Sequence, residues 1–154
     1  MKKLFIIFAL FTAAKSNAQW ENKIADNGFD EPYRYAVCYT SDGKNFVKLE
    51  KLTDTSVLVV LYEGYICEER PKVEYSFKVG GLTDKYDIYG IRSTDKKRVM
   101  MSAVVNESNF VHSFKYCSIM RIRLNDESCG SEIYAFDMTY SEKALIWVMS
   151  DRLR

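Results

Sequence analysis

Arg121 and Arg123 stand in alternate positions, which puts two guanidinium groups on one face of a strand. A fixed pair of this kind suits a carboxylate or a phosphate. Asp137 comes near Arg121 if the next strand folds back as a hairpin, so Arg121, Arg123 and Asp137 form the candidate binding residues. The plain counterpart is a cross-strand ion pair on a wet face, which contributes well under ~1 kcal/mol. Other chemistry is thin. The chain has 1 histidine, His112, and an imidazole metal site needs more; no thiolate or carboxylate stands at ligand spacing around it. No metal site and no cofactor are expected. Ser113 or Cys117 could supply a nucleophile beside His112, but no nucleophile elbow surrounds either, and on a helix His112 falls opposite Phe114, where side chains meet solvent. Glu68-Glu69 and Asp126-Glu127 are the densest acidic spots and would be the carboxylates of a glycoside hydrolase; both lie in turn-like stretches where charge is ordinary.

The elements that must position these residues are mostly strands. Residues 73–79 alternate apolar and polar, with the odd-numbered side chains inward, the period of a half-buried strand. Residues 35–39, 46–52, 86–92 and 99–103 read similarly, while 57–61 is apolar on both faces and belongs mid-sheet. Turn chemistry separates them at Ser41-Asp42-Gly43-Lys44, Thr53-Asp54-Thr55, Gly80-Gly81 and Thr94-Asp95-Lys96. From Ser108, an N-cap residue, Phe110, Val111, Phe114 and Cys117 mark one face of a short helix. Thr139 and Glu142 have the spacing of a capping box before a second helix that buries Ala144, Leu145, Val148 and Met149. Between the helices, strands 119–125 and 132–138 form a hairpin; with Asn125 opposite Ser131, Met120, Ile122, Leu124, Tyr134 and Phe136 face the core, and Arg121, Arg123, Ile133, Ala135 and Asp137 face outward. The fold class is mainly β, a β-rich α+β domain: an antiparallel meander or sandwich of about 7–8 short strands, with two short helices near the C-terminus.

Residues 1–18 read as a secretion leader: Lys2 and Lys3, an apolar core from Leu4 to Ala14, and Ser16-Asn17-Ala18 as a cleavage site. The apolar core is shorter than the ~20 residues that span a bilayer, and no later segment is long and apolar enough to do so. The expected product is one domain, residues 19–154, periplasmic or secreted. The full chain carries 22 basic and 21 acidic side chains, and Lys2, Lys3 and Lys15 leave with the leader. The slightly acidic remainder, with charges of both signs interspersed, lacks the basic face of a nucleic-acid binder.

An exported protein with 4 cysteines, Cys38, Cys67, Cys117 and Cys129, is expected to hold two disulfides in one of three connectivities. Cys117 precedes the first strand of the proposed hairpin and Cys129 lies at its far end. Seven residues at about 3.3 Å each separate them by roughly 23 Å, well beyond the reach of about 7 Å that a disulfide allows. Each must therefore pair with Cys38 or Cys67, or stay free.

Trp20, residues 73–79, the 110–115 helix, Met120-Arg121-Ile122-Arg123 and the run from Phe136-Asp137 through Tyr140-Ser141 to Ala144-Leu145 resemble small exported accessory proteins. The nearest are the type VI secretion-associated TagO/VasI-like proteins, with the invasion-associated locus B proteins a looser match. The chain departs from that pattern in lacking a cysteine beside Leu61 or after the last helix, and in having Tyr140-Ser141 for a Ser-Gly-like turn. The resemblance implies a β-sandwich and a non-enzymatic accessory or host-contact role. Two functions are thus expected from different classes: a module that contacts a protein partner through a sheet face or loops, or a carboxylate-dependent hydrolase of wall or host polymers. The leader predicts a mature N-terminus at Gln19; mass spectrometry of the exported protein should find an N-terminal peptide that starts at Gln19, as glutamine or its cyclised pyroglutamate, and a retained Met1 would contradict it.

Overall fold

A computed structural model describes residues 20–26, 28, 31–62, 65–104 and 109–150. The expected leader and the Ser108 cap lie outside these residues. The strands are β1 (Glu21–Ala25), β2 (Tyr33–Tyr39), β3 (Phe46–Thr53), β4 (Ser56–Tyr62), β5 (Lys72–Val79), β6 (Leu82–Tyr89), β7 (Ile91–Arg92), β8 (Arg98–Val104), β9 (Ile119–Asp126) and β10 (Gly130–Asp137); helix α1 (Asn109–Tyr116) precedes β9 and α2 (Ser141–Met149) follows β10. They form two antiparallel sheets, β1-β2-β3-β4-β8-β7 and β10-β9-β5-β6. The apolar β4 is central in the larger sheet, where both of its faces are covered.

The mainly β, antiparallel fold with two late helices agrees with the sequence pattern. Two strands escaped it. β1 has the polar sequence Glu-Asn-Lys-Ile-Ala and pairs on one side only; none of its residues is buried, so its sequence lacks the apolar alternation of a half-buried strand. The single strand expected over residues 86–92 is two strands in different sheets, and its first part begins at Leu82. The change of sheet falls at Gly90, which is buried against Val99; a Cβ there would collide with the valine side chain, so only glycine lets the chain pass.

One core joins both sheets and both helices. Val73, Tyr75 and Phe77 of β5 point inward, as the alternation requires, opposite Leu124, Ile122 and Met120 of β9. Phe110 of α1 meets Tyr75, Phe77 and Tyr86 edge-on, with ring centroids 4.9, 5.2 and 5.7 Å away. Edge-to-face pairs of this sort add about 0.5–1.5 kcal/mol each beyond area burial. α2 packs on β1, β2 and β3, and Arg34 of β2 lies over the Trp147 ring at 4.3 Å. α2 does not begin with a capping box. Its N-cap is Tyr140, in the left-handed region with φ 69° and without a side-chain cap. Thr139 instead donates through both N and Oγ1 to Asp137 Oδ1, at 2.8 and 2.6 Å, which closes the turn. The buried Ser141 hydroxyl donates to Phe114 O at 2.8 Å and ties α2 to α1.

The cysteines form one disulfide rather than two. Cys67 bonds to Cys129, with Cα atoms 5.8 Å apart, and links the segment after β4 to the β9–β10 turn. Cys117 and Cys129 are not joined, as the hairpin geometry requires. Cys38 and Cys117 are buried free thiols. Cys38 lies on the inner face of β2 and donates to Asp137 O at 3.3 Å; burial, with the nearby Asp137 charge, pushes its thiol up to about 12. Burial likewise raises Cys117 to about 12. Neither is a nucleophile at neutral pH.

Asp126, only 3% exposed, holds the same junction. Oδ2 accepts the Cys67 and Glu68 amides at 2.6 and 3.2 Å, and Oδ1 accepts those of Ser128 and Cys129 at 3.1 and 3.0 Å. Burial works to raise this carboxyl, but the four amides outweigh it and hold the group below the ordinary carboxylate range. A lowered folded-state value means stability that is present above about pH 4 and is lost as pH falls through that value. Asp126→Asn points an amide donor at backbone donors and should cost about 2 kcal/mol at pH 7. In urea melts the gap between wild type and Asp126→Asn should shrink as pH falls below about 4; a constant gap down to pH 2 would contradict this role.

Candidate functional site

The outer face of the four-stranded sheet carries the expected arginines. Their positions follow from two registers. β9 pairs with β10 so that Asn125 faces Ser131, Arg123 faces Ile133 and Arg121 faces Ala135, as the sequence pattern requires. β9 also pairs with β5, which the sequence does not reveal, placing Arg121 beside Ser76 and Arg123 beside Glu74. β6 then adds Lys85 opposite Ser76 and Asp87 opposite Glu74. Two rows result. One reads Asp87, Glu74, Arg123, Ile133, and the other Lys85, Ser76, Arg121, Ala135.

The rows differ in electrostatics. In the first, Arg123 donates to Glu74 Oε2 at 3.0 Å, Asn125 donates to Glu74 Oε1 at 2.9 Å, and Lys72 pairs with Asp87 at 2.9 Å. Those charges are spent on one another. In the second, Lys85 and Arg121 are exposed and make no ion pair or hydrogen bond with another described residue. A depression of about 240 Å³ lies over the two rows, with Ser76 at its floor and Ile133, 59% exposed, at its rim.

Asp137 does not join this site. It faces Ile119, one row beyond Arg121, and its carboxylate is engaged by Thr139. The other sequence candidates are dispersed. His112 is exposed on α1 and rests against Tyr116, with ring centroids 4.8 Å apart. Ser113 is buried and donates to Asp84 Oδ2 at 2.7 Å, so it binds α1 to β6 and does not face His112. Glu68 accepts the Glu127 amide at 2.7 Å, and with Asp126 it builds a turn. Cys67, Asp126 and Cys129 bring ligand-type atoms within 4.8 Å of one another. The sulfurs are bonded to each other and the carboxylate oxygens are taken by four amides, so the donor set does not suit a metal. A larger pocket of about 470 Å³ opens between Arg34, Glu50, Lys51 and Ser150. Arg34 there donates to Ser150 and lies over Trp147, Glu50 pairs with Lys48 and Lys51 with Asp54, while Glu31 at its edge makes no ion pair with another described residue.

No family model matches the chain, and no curated protein matches it significantly. Among solved structures the fold is found again. The likeness is to invasion associated protein B from Bartonella henselae. The two superpose with a TM-score of 0.59 over 88% of this chain and 94% of that one, at 12% identity. At this identity the likeness is one of fold. It accords with the looser of the two resemblances in the sequence, and none of the comparisons points to the TagO/VasI-like proteins.

Lys85 was the residue that sequence reasoning missed, because only the β5–β6 and β5–β9 registers bring it into the row of Arg121. Since Arg121 is exposed and makes no ion pair or hydrogen bond with another described residue, Arg121→Glu should shift the thermal midpoint by less than about 2 °C. A drop of several degrees in calorimetry would show that the face is part of the folded network.

Proposed function

We propose that this chain is an exported, non-enzymatic accessory protein that holds a protein partner against the outer face of its four-stranded sheet. The observation that carries the reading is the row of Lys85 and Arg121. These exposed cations make no ion pair or hydrogen bond with another described residue, and an exposed isoleucine, Ile133, lies beside them. A polar, charged patch around an apolar contact is the composition of a non-obligate interface.

Export is supported by the leader-like N-terminus and by the Cys67–Cys129 bridge, which suits an oxidising compartment. Asp42, Asp95 and Asp126 have carboxyls held below their ordinary range. Each accepts hydrogen bonds within a turn, whereas a general acid needs its value raised. The fold neighbour is described as invasion associated, and a contact role is carried over from it only as part of this reading.

The exported protein, immobilised through an engineered tag, should capture a partner from the producing cells or from cells in contact with them. The doubly substituted face, Arg121→Glu with Ile133→Asp, should reduce that capture at least about tenfold while its melting curve stays cooperative. Equal capture by both proteins, or no stoichiometric capture by wild type, would overturn the proposal.

A further inference from the structure

Ser76 has a long cation on each side in the same row of the sheet: Lys85 on β6 and Arg121 on β9. Two strand spacings put the flanking Cα atoms about 9.6 Å apart, so the two flexible stems can bend inward over the small side chain between them. The Ser76 hydroxyl is half-buried and makes no hydrogen bond with another described residue. Together the three side chains present an ammonium, a hydroxyl and a planar guanidinium fork around one point. On the far side of Arg121 the row ends in Ala135, which leaves that approach open.

Resting on the partner-binding reading above, we propose that Lys85, Ser76 and Arg121 form a receptor for a single carboxylate, an aspartate or glutamate side chain of the partner protein. The neighbouring row decides between one carboxylate and a polyanion. Glu74 and Asp87 line the same depression and are already paired with Arg123 and Lys72, so the neighbouring row offers a second anionic group no unpaired cation. A chain of sulfates or phosphates crossing the face would have to break those pairs to place its next charges, whereas a lone carboxylate would not. Ile133 at the rim suits an apolar residue next to the acidic one, as a protein segment supplies and a sulfated sugar does not. When the partner covers the site, water is removed from the ion pairs and their attraction strengthens, so the receptor contributes to specificity more than free-anion affinity suggests.

The test uses the exported protein, 15N-labelled, titrated with blocked glutamate (N-acetylglutamate N-methylamide) and followed by the amide and arginine side-chain signals in NMR. Blocked glutamate should shift Ser76, Lys85 and Arg121 saturably, while blocked glutamine should not. Lys85→Gln and Arg121→Gln should each weaken the binding about threefold or more, and Arg123→Gln less than about twofold, because Arg123 is already held by Glu74. The same spectra verify that each variant is folded. Absence of saturable shifts at these residues, or shifts unchanged in Lys85→Gln and Arg121→Gln, overturns the receptor. Tighter binding of inorganic phosphate or of a heparin fragment at these residues overturns the assignment to a carboxylate. Failure here, with capture still lost in the Arg121→Glu, Ile133→Asp protein, removes the receptor and leaves the partner face standing. A bound blocked glutamate with capture unaffected by that double change does the reverse.

Discussion

The pairing of β5 with β9 is the constraint on which the rest depends. It joins strands far apart in sequence, with Ser76 opposite Arg121, and thereby places the C-terminal hairpin in one sheet with the β5–β6 hairpin. Such non-local pairing carries a loop-closure cost that must be offset by what it buries. Here the offset lies on the inner face, where Val73, Tyr75 and Phe77 meet Leu124, Ile122 and Met120, all of them almost completely buried. The ends of the pairing are fastened separately. At one end the Asp126 carboxylate and the Cys67–Cys129 bridge tie the β9–β10 turn to the segment before β5, and at the other the Ser118 amide donates to Lys78 O at 3.0 Å.

The same pairing writes the outer face. A strand has a period of two, so once Tyr75 and Phe77 are committed to the core, Glu74 and Ser76 must face outward, and the registers decide what stands next to them. The outcome is one row in which charges cancel and one in which they do not. This contrast, more than the size of any cavity, separates the sheet face from the 470 Å³ pocket near Arg34, whose cations, Arg34 and Lys51, are already engaged inside the fold. Surface charges cost little where they stand, so an unpaired pair of cations at fixed positions does not threaten stability and remains available to a partner.

The parts of this arrangement that are local were legible in the sequence. The β9–β10 register, with Asn125 opposite Ser131, follows from alternation on both strands and a short turn, and it sent Arg121 and Arg123 outward. The inward faces of β5 and of both helices follow for the same reason. What the pattern could not show was non-local. No local signal says that β9 lies against β5, so nothing in the sequence joins Lys85 to Arg121, and the hairpin that brings Asp137 near Arg121 does not reveal that Thr139 engages its carboxylate. The polar edge strand β1 lacked alternation, and the steric contact of Gly90 with Val99 that divides β6 from β7 belongs to two different segments of chain. The single disulfide also depended on packing, because the core shape decided that Cys38 and Cys117 stay buried as thiols.

The most direct measurement is the register of β5 against β9 in solution, read from cross-strand backbone NOEs between residues 72–78 and 119–125. The account requires the pairs Glu74–Arg123, Ser76–Arg121 and Lys78–Ile119, with the slowest-exchanging amides in the same ladder. A two-residue slip that sets Ser76 against Ile119 or Arg123, or the absence of cross-strand NOEs between these segments, would contradict it, since Lys85 and Arg121 would then no longer share a row.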